Sequence, residues 1–244
     1  MKGTLSLGII KLLYDWDWAA AEQELRRAGE LSPNSAYVRH WYGHYLETIG
    51  RLPEARAIML QMLDADPLSP MILEDVYAEY IWAHQWDQAL SISQRLVALY
   101  PNNPTALYCD PLVYERLGRH DEALTALEKL RAAPGLHEKS EMVGVLLAKM
   151  GKRAEAEKIL ADLKDAVKKE RIPDYTDMAD LCFALGDRNQ GFAYLDQAYE
   201  ARDQGINRFN LAFLNPYYSL EDARNDPRFA ALLKKIGLPA AAIH

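Results

Sequence analysis

Residues 35–67 read SAYVRHWYGHYLETIGRLPEARAIMLQMLDADP, and this stretch decides the fold class. Tyr42, Tyr45, Leu46 and Ile49 recur at spacings of three and four, the apolar stripe of a helix with one buried face. Gly50-Arg51-Leu52 interrupts the stripe, because glycine takes the left-handed conformation that ends helices. Pro53 suits the first turn of a second helix, where its missing N–H leaves no bond unmade. Ala55 falls where two helices must approach closely, so that only a methyl fits. Asp66-Pro67 closes the unit, and Ser69-Pro70 opens the next with a capping residue before proline. The segment is a helical hairpin.

The same marks recur along the chain on one ruler. Pro33, Pro67 and Pro101 are 34 residues apart, as are Ala21, Ala55, Ala89 and Ala123. Gly50 and Gly118 differ by two periods. Leu25, Met59 and Leu127 share a register, as do Ala28, Met62, Leu96 and Leu130. The period continues with slips of one residue, through Gly151 and Ala156 and then Gly186 and Gly191, with Gly191 in the alanine column. Six hairpins follow, at about 4–33, 35–67, 69–101, 104–134, 137–170 and 174–203. No strand-like alternation occurs, so the expected class is all-α.

A 34-residue helix–turn–helix period with these columns resembles the tetratricopeptide repeat. The resemblance implies a right-handed α-α superhelix, a solenoid of about six hairpins over 1–204 with a C-terminal capping segment over 205–244. In the cap, Asp226 is the expected N-cap of a final helix at about 227–236, with Phe229, Leu232, Leu233 and Ile236 as its buried stripe and Gly237 and Pro239 as its stop. Phe209, Leu211, Phe213 and Leu214 are expected to fold over the sixth hairpin. Pro111 lies inside a helix opened by Asn103-Pro104, where a kink is expected. A narrower resemblance rests on Tyr14-Asp15-Trp16-Asp17-Trp18, on Asp66-Pro67-Leu68-Ser69-Pro70, and on Asp226-Pro227-Arg228-Phe229 with Leu232-Leu233 and Gly237-Leu238-Pro239. These stretches are similar to the repeat-bearing C-terminal halves of bacterial signalling proteins, where such repeats follow a winged-helix domain, a Ser/Thr kinase or a nucleotide cyclase. None of those domains lies within these residues, which implies the interaction half of something larger or a free-standing relative.

Composition narrows the partners. Of 244 residues, 28 are Lys or Arg and 35 are Asp or Glu, a formal charge of −7 that disfavours direct nucleic-acid binding. The lysines and arginines of 149–171 are interleaved with Glu155, Glu157, Asp162, Asp165 and Glu170, the pattern of a solvated helix face. Half the residues are hydrophobic, yet no apolar run approaches the ~20 residues of a membrane span. Cys109 and Cys182 are the two cysteines, without metal or disulfide spacing, and are expected to be buried thiols in a reducing, cytoplasmic setting. At the N-terminus Leu5, Leu7, Ile9, Ile10, Leu12 and Leu13 are too many apolar residues for one helix face. Some should be covered by a partner, a missing domain or a second copy, which keeps a homodimer in view.

In tetratricopeptide arrays the first helix of each hairpin lines the concave surface. Carried over by column, the lining is Tyr37, His40, His44 and Glu47 from hairpin two and Met71, Glu74, Ala78, Ile81 and Trp82 from hairpin three. Hairpin four adds Tyr108, Leu112 and Glu115, and later hairpins add Glu141, Val145, Thr176 and Asp180. The Lys, Asn and Arg columns with which chaperone-binding members hold a terminal carboxylate are absent. The aromatic and acidic lining suits an apolar or basic protein segment, with Trp82 and Tyr108 as anchors. His40 and His44 share a helix face at a spacing that can hold zinc, with Glu47 or Glu74 to complete the shell. Trp41 stands where the hydrolase pattern HExxH needs its glutamate, and no phosphate loop, dinucleotide fingerprint or nucleophile elbow occurs. The expectation is a non-enzymatic binding scaffold without a cofactor. Self-association is the alternative, and a metal-dependent enzyme at His40 and His44 is the remotest one.

Overall fold

The computed structural model describes residues 2–133, 141–170, 175–202, 211–214, 220 and 223–238. Among them there are helices and turns and no strand. Helix α1 (Lys2–Ile10) runs on through a π-helical turn (Lys11–Asp15) and pairs with α2 (Trp18–Leu31). The pairs α3 (Ala36–Thr48) with α4 (Leu52–Ala65), α5 (Pro70–Trp82) with α6 (Trp86–Leu99), and α7 (Pro104–Arg116) with α8 (His120–Arg131) follow. Two more, α9 (Glu141–Lys149) with α10 (Arg153–Glu170) and α11 (Tyr175–Ala184) with α12 (Arg188–Ala201), complete six hairpins, and α13 (Pro227–Lys235) forms the cap. This is the expected α-α solenoid.

The periodic residues do the packing. Ala21, Ala55, Ala89, Ala123 and Ala156 are all fully buried, each on the second helix of its hairpin. At Gly191 even a methyl is excluded, since a Cβ there would lie 2.8 Å from the Phe183 ring. Between the two helices of a hairpin the chain takes one left-handed residue: Gly50, Gly118, Gly151 and Gly186, with His84 (φ 54°) in that place in hairpin three. Ser35, Asn103, Asp17 and Asp187 cap their helices with side-chain oxygens, and Asp226 accepts from the Arg228 amide to cap α13. Phe229, Leu232, Leu233 and Ile236 are the buried face of that cap. Helix α7 continues through Pro111 as one element, although proline removes the amide that would bond the Leu107 carbonyl. Pro134, Phe209 and Pro239 lie outside the described residues.

The N-terminal hairpin departs from expectation. Of its apolar surplus, Leu5, Leu12 and Leu13 pack with Leu25, Tyr45 and Leu46 of hairpins one and two, while the turn of this hairpin meets the far end of the same chain. Trp16 is buried and stacks on Tyr199 of α12, with ring centres 5.4 Å apart, while the Arg202 guanidinium lies 4.2 Å above the Trp16 ring. Arg202 also donates to the Tyr14 carbonyl at 3.1 Å. Trp18 Nε1 donates to the Ile236 carbonyl, 3.0 Å away at the end of α13. The two ends of the solenoid therefore touch, and the array closes on itself. Leu12 is buried and Leu5, Ile9 and Leu13 are half-buried, but Leu7, Ile10 and Tyr14 remain 42%, 50% and 52% exposed. Leu211 and Leu214 are buried as expected of the cap. Phe213 instead reaches hairpin two, with its ring 5.5 Å from that of His44, because closure brings the cap across the concave side.

Among the described residues no helix is long and apolar enough to cross a membrane. Both cysteines are free and buried, and burial pushes the Cys182 thiol up to about 11. The charged face of α10 is held in local pairs such as Arg153 with Glu157 at 2.7 Å and Lys169 with Asp165 at 2.6 Å.

Candidate functional site

Helices α3, α5 and α7 and the start of α9 surround a cavity of about 540 Å3 on the concave side, with Phe213 of the cap at its edge. Ten of the residues expected to line the concave face do so: His40, His44, Glu47, Met71, Glu74, Ala78, Ile81, Trp82, Tyr108 and Leu112. Two others of that set do not. Tyr37, in the first turn of α3, is 51% exposed and packs beside His40 and Trp41. Glu115, near the end of α7, lies 3.8 Å from Arg116. Glu141, Val145, Thr176 and Asp180 are buried within hairpins five and six and are not part of the wall. The wall also includes residues the column argument passes over, chiefly Trp41, Asp75, Tyr77, Met142 and Phe213. Met142 follows Glu141 directly, and Asp75 follows Glu74.

The polar part of the wall is a chain of titratable groups. His40 Nδ1 donates to Asp75 Oδ2 at 2.6 Å, and His44 Nδ1 donates to Glu47 Oε2 at 2.6 Å. The free side of the His44 ring points to Asp75, with Nε2 3.6 Å from Oδ1. Glu47 is fully buried, and behind it lies Glu79, which is 3% exposed, with Arg56 3.7 Å beyond. Glu47 Oε1 and Glu79 Oε1 are buried without a donor while both groups are ionised. Burial, and then the adjacent Glu47 carboxylate, push the Glu79 carboxyl far up, so that it keeps its proton at neutral pH and shares it with Glu47. Burial alone would lower the His44 imidazolium, but the attraction of Glu47, its hydrogen bond, and the Asp75 and Glu79 carboxyls lift it to about 9. His44 is thus a cation at neutral pH.

The remainder of the wall is apolar. Met71, Ala78, Ile81, Trp82 and Leu112 face the cavity together with Tyr108, and among the described lining residues there is no Lys or Arg. Glu74 and Asp75 supply the negative charge at its side.

No family model matches this chain. A stretch of 92 residues is 33% identical to a UPF0162 protein of Xylella fastidiosa, covering 36% of this chain and 32% of that protein. The chain therefore spans about a third of the length of the curated relative it matches. Among solved structures, a tetratricopeptide repeat protein of Parabacteroides merdae superposes with a TM-score of 0.50 at 20% identity, covering 96% of this chain and 93% of that one. A thermophilic tetratricopeptide repeat protein of Thermus thermophilus gives 0.49 at 15% identity, over 96% and 98%. The fold is that of the tetratricopeptide-repeat solenoids.

Proposed function

We propose that this chain is a non-enzymatic binding scaffold that holds a protein or peptide segment in its concave cavity. The observation that carries the reading is the cavity itself. Its volume is in the range of ligand sites, about 300–1,000 Å3. Its floor is apolar, its side is acidic, and none of the described lining residues is Lys or Arg. A segment that presents an apolar side chain to Trp82 and a cationic one to Glu74 matches that wall in shape and sign. A preformed groove also loses little conformational entropy on binding. The scaffold would serve as the effector or sensor part of a cytoplasmic bacterial signalling system, a role supported by the resemblance of Tyr14–Trp18, Asp66–Pro70 and the cap to such proteins.

Selection from a random peptide display library tests this reading. Wild type is expected to enrich segments with aromatic or aliphatic residues beside Lys or Arg. Trp82→Ala is expected to weaken the selected peptides by roughly 30-fold, the effect of losing a central aromatic anchor, with helicity retained. Glu74→Arg should reject the basic ones. Recovery of the same peptides by both variants would show that the cavity is not the binding surface.

A second reading is favoured by one observation, the exposure of Leu7, Ile10 and Tyr14 on the N-terminal hairpin. It is that the chain self-associates through that face. Light scattering decides it: a dimer that Ile10→Glu converts to a monomer supports it, and a wild-type monomer at micromolar concentrations removes it.

A further inference from the structure

We propose that His40, His44 and Asp75 form a site for a divalent transition metal of the zinc type, with one coordination position open to the cavity. The two histidines are one helical turn apart on α3, and α5 of the next hairpin brings Asp75 across to them. One ligand atom from each residue can be chosen so that all three lie within 4.8 Å of one another. Around a tetrahedral ion with ligands at about 2.0–2.1 Å, donor atoms stand about 3.3 Å apart. Asp75 already meets both rings, His40 Nδ1 lying 2.6 Å from its Oδ2 and His44 Nε2 3.6 Å from its Oδ1. Side-chain adjustments of about 1 Å bring the donors to that spacing, and the ion replaces two protons, the one between His40 and Asp75 and the one on His44 Nε2, both released to solvent.

The surroundings are those of a built site. Glu47 holds His44 Nδ1 at 2.6 Å, which fixes the ring and leaves Nε2 as the donor that faces Asp75. A carboxylate on the far nitrogen of a ligating histidine is the arrangement that orients such ligands and raises their basicity. Glu47 is fully buried, so this support is rigid. The three ligand side chains are between 8% and 19% exposed, sheltered from bulk water yet open to the cavity they line. Two imidazoles and one carboxylate favour zinc, cobalt or a similar ion over calcium or magnesium, which take oxygen donors. The open position would accept water, or a donor atom from whatever occupies the cavity.

The test is titration of the chelator-stripped full chain with Co2+, followed by displacement with Zn2+. One cobalt per chain, a visible absorption band of tetrahedral intensity and its loss on adding zinc are expected. His40→Gln and Asp75→Asn should each weaken cobalt binding at least tenfold. Glu47→Gln should weaken it by about 10–100-fold while leaving the band in place, because it removes only the support for His44. Circular dichroism of each variant shows that it is folded, and the wild-type titration is decisive by itself. Absence of a cobalt band and of stoichiometric zinc in wild type would overturn the proposal, as would wild-type affinity in folded His40→Gln. The titration needs no peptide, so its failure leaves the reading of the cavity as a peptide groove untouched.

Discussion

Trp16→Ala is expected to lower the unfolding free energy by about 3–4 kcal/mol, the usual loss when a buried large aromatic is truncated. Trp16 is 8% exposed and sits where the solenoid's two ends meet. Its removal leaves Tyr199 without the ring it stacks on and Arg202 without the face it covers. The loss is larger than for an equally buried residue inside one hairpin, because the contact joins segments about 180 positions apart and holds the closure. For a chain of this size each kcal/mol shifts the melting temperature by about 2–4 °C, so a fall of roughly 10 °C is expected by calorimetry. Trp18→Phe, which keeps an aromatic ring but deletes the donor to Ile236, should lower stability by only about 1 kcal/mol. A fall of less than about 2 °C for Trp16→Ala would show that the ends are not held together in solution.

Alkaline pH is expected to destabilise the metal-free protein well before its lysines titrate. His44 keeps its proton to about 9 in the folded chain but to about 6.5 when unfolded. Its contribution is therefore complete below pH 6.5 and disappears as pH rises through 9. Glu79 acts in the same direction, since its folded carboxyl is also raised: the native state retains a proton that the unfolded chain releases from about pH 4.5 upward. In both cases the folded state binds more protons, so stability falls with rising pH. For His44 alone the shift corresponds to about 3 kcal/mol. Melting followed from pH 6.5 to 9.5 should fall by several degrees, and His44→Gln should roughly halve the slope between pH 6.5 and 9, leaving the part due to Glu79. A flat wild-type profile would mean that the two protons are not held as the geometry implies.

The repeat was legible because it is local. A hairpin buries its own alanine column, so Ala21, Ala55 and Ala89 announce themselves by spacing, whatever lies around them. The concave wall was legible as far as the same column logic carries, through His40, His44, Trp82 and Leu112. It fails at helix ends, where Tyr37 and Glu115 turn away from the wall. It fails again between adjacent residues: Glu74 and Asp75 are equivalent acids in the sequence, and the angle between hairpins two and three sets Asp75 beside His40. Closure was not legible at all. It depends on the sum of five small rotations between the six hairpins, none of which leaves a mark in the pattern, although Trp16 and Trp18 were conspicuous as two large aromatics in a turn.

An open solenoid resembles a stack, in which the outermost units have one neighbour and loosen first. Here the contact from Trp16 and Trp18 to Tyr199, Arg202 and Ile236 gives the end units a second neighbour. Fraying from either terminus is thereby suppressed, and amide exchange should be slowed as strongly in α2 and α12 as in α5. Evolution could lengthen or shorten this protein only by changing its curvature, because a repeat added to a ring must be accommodated by all the others.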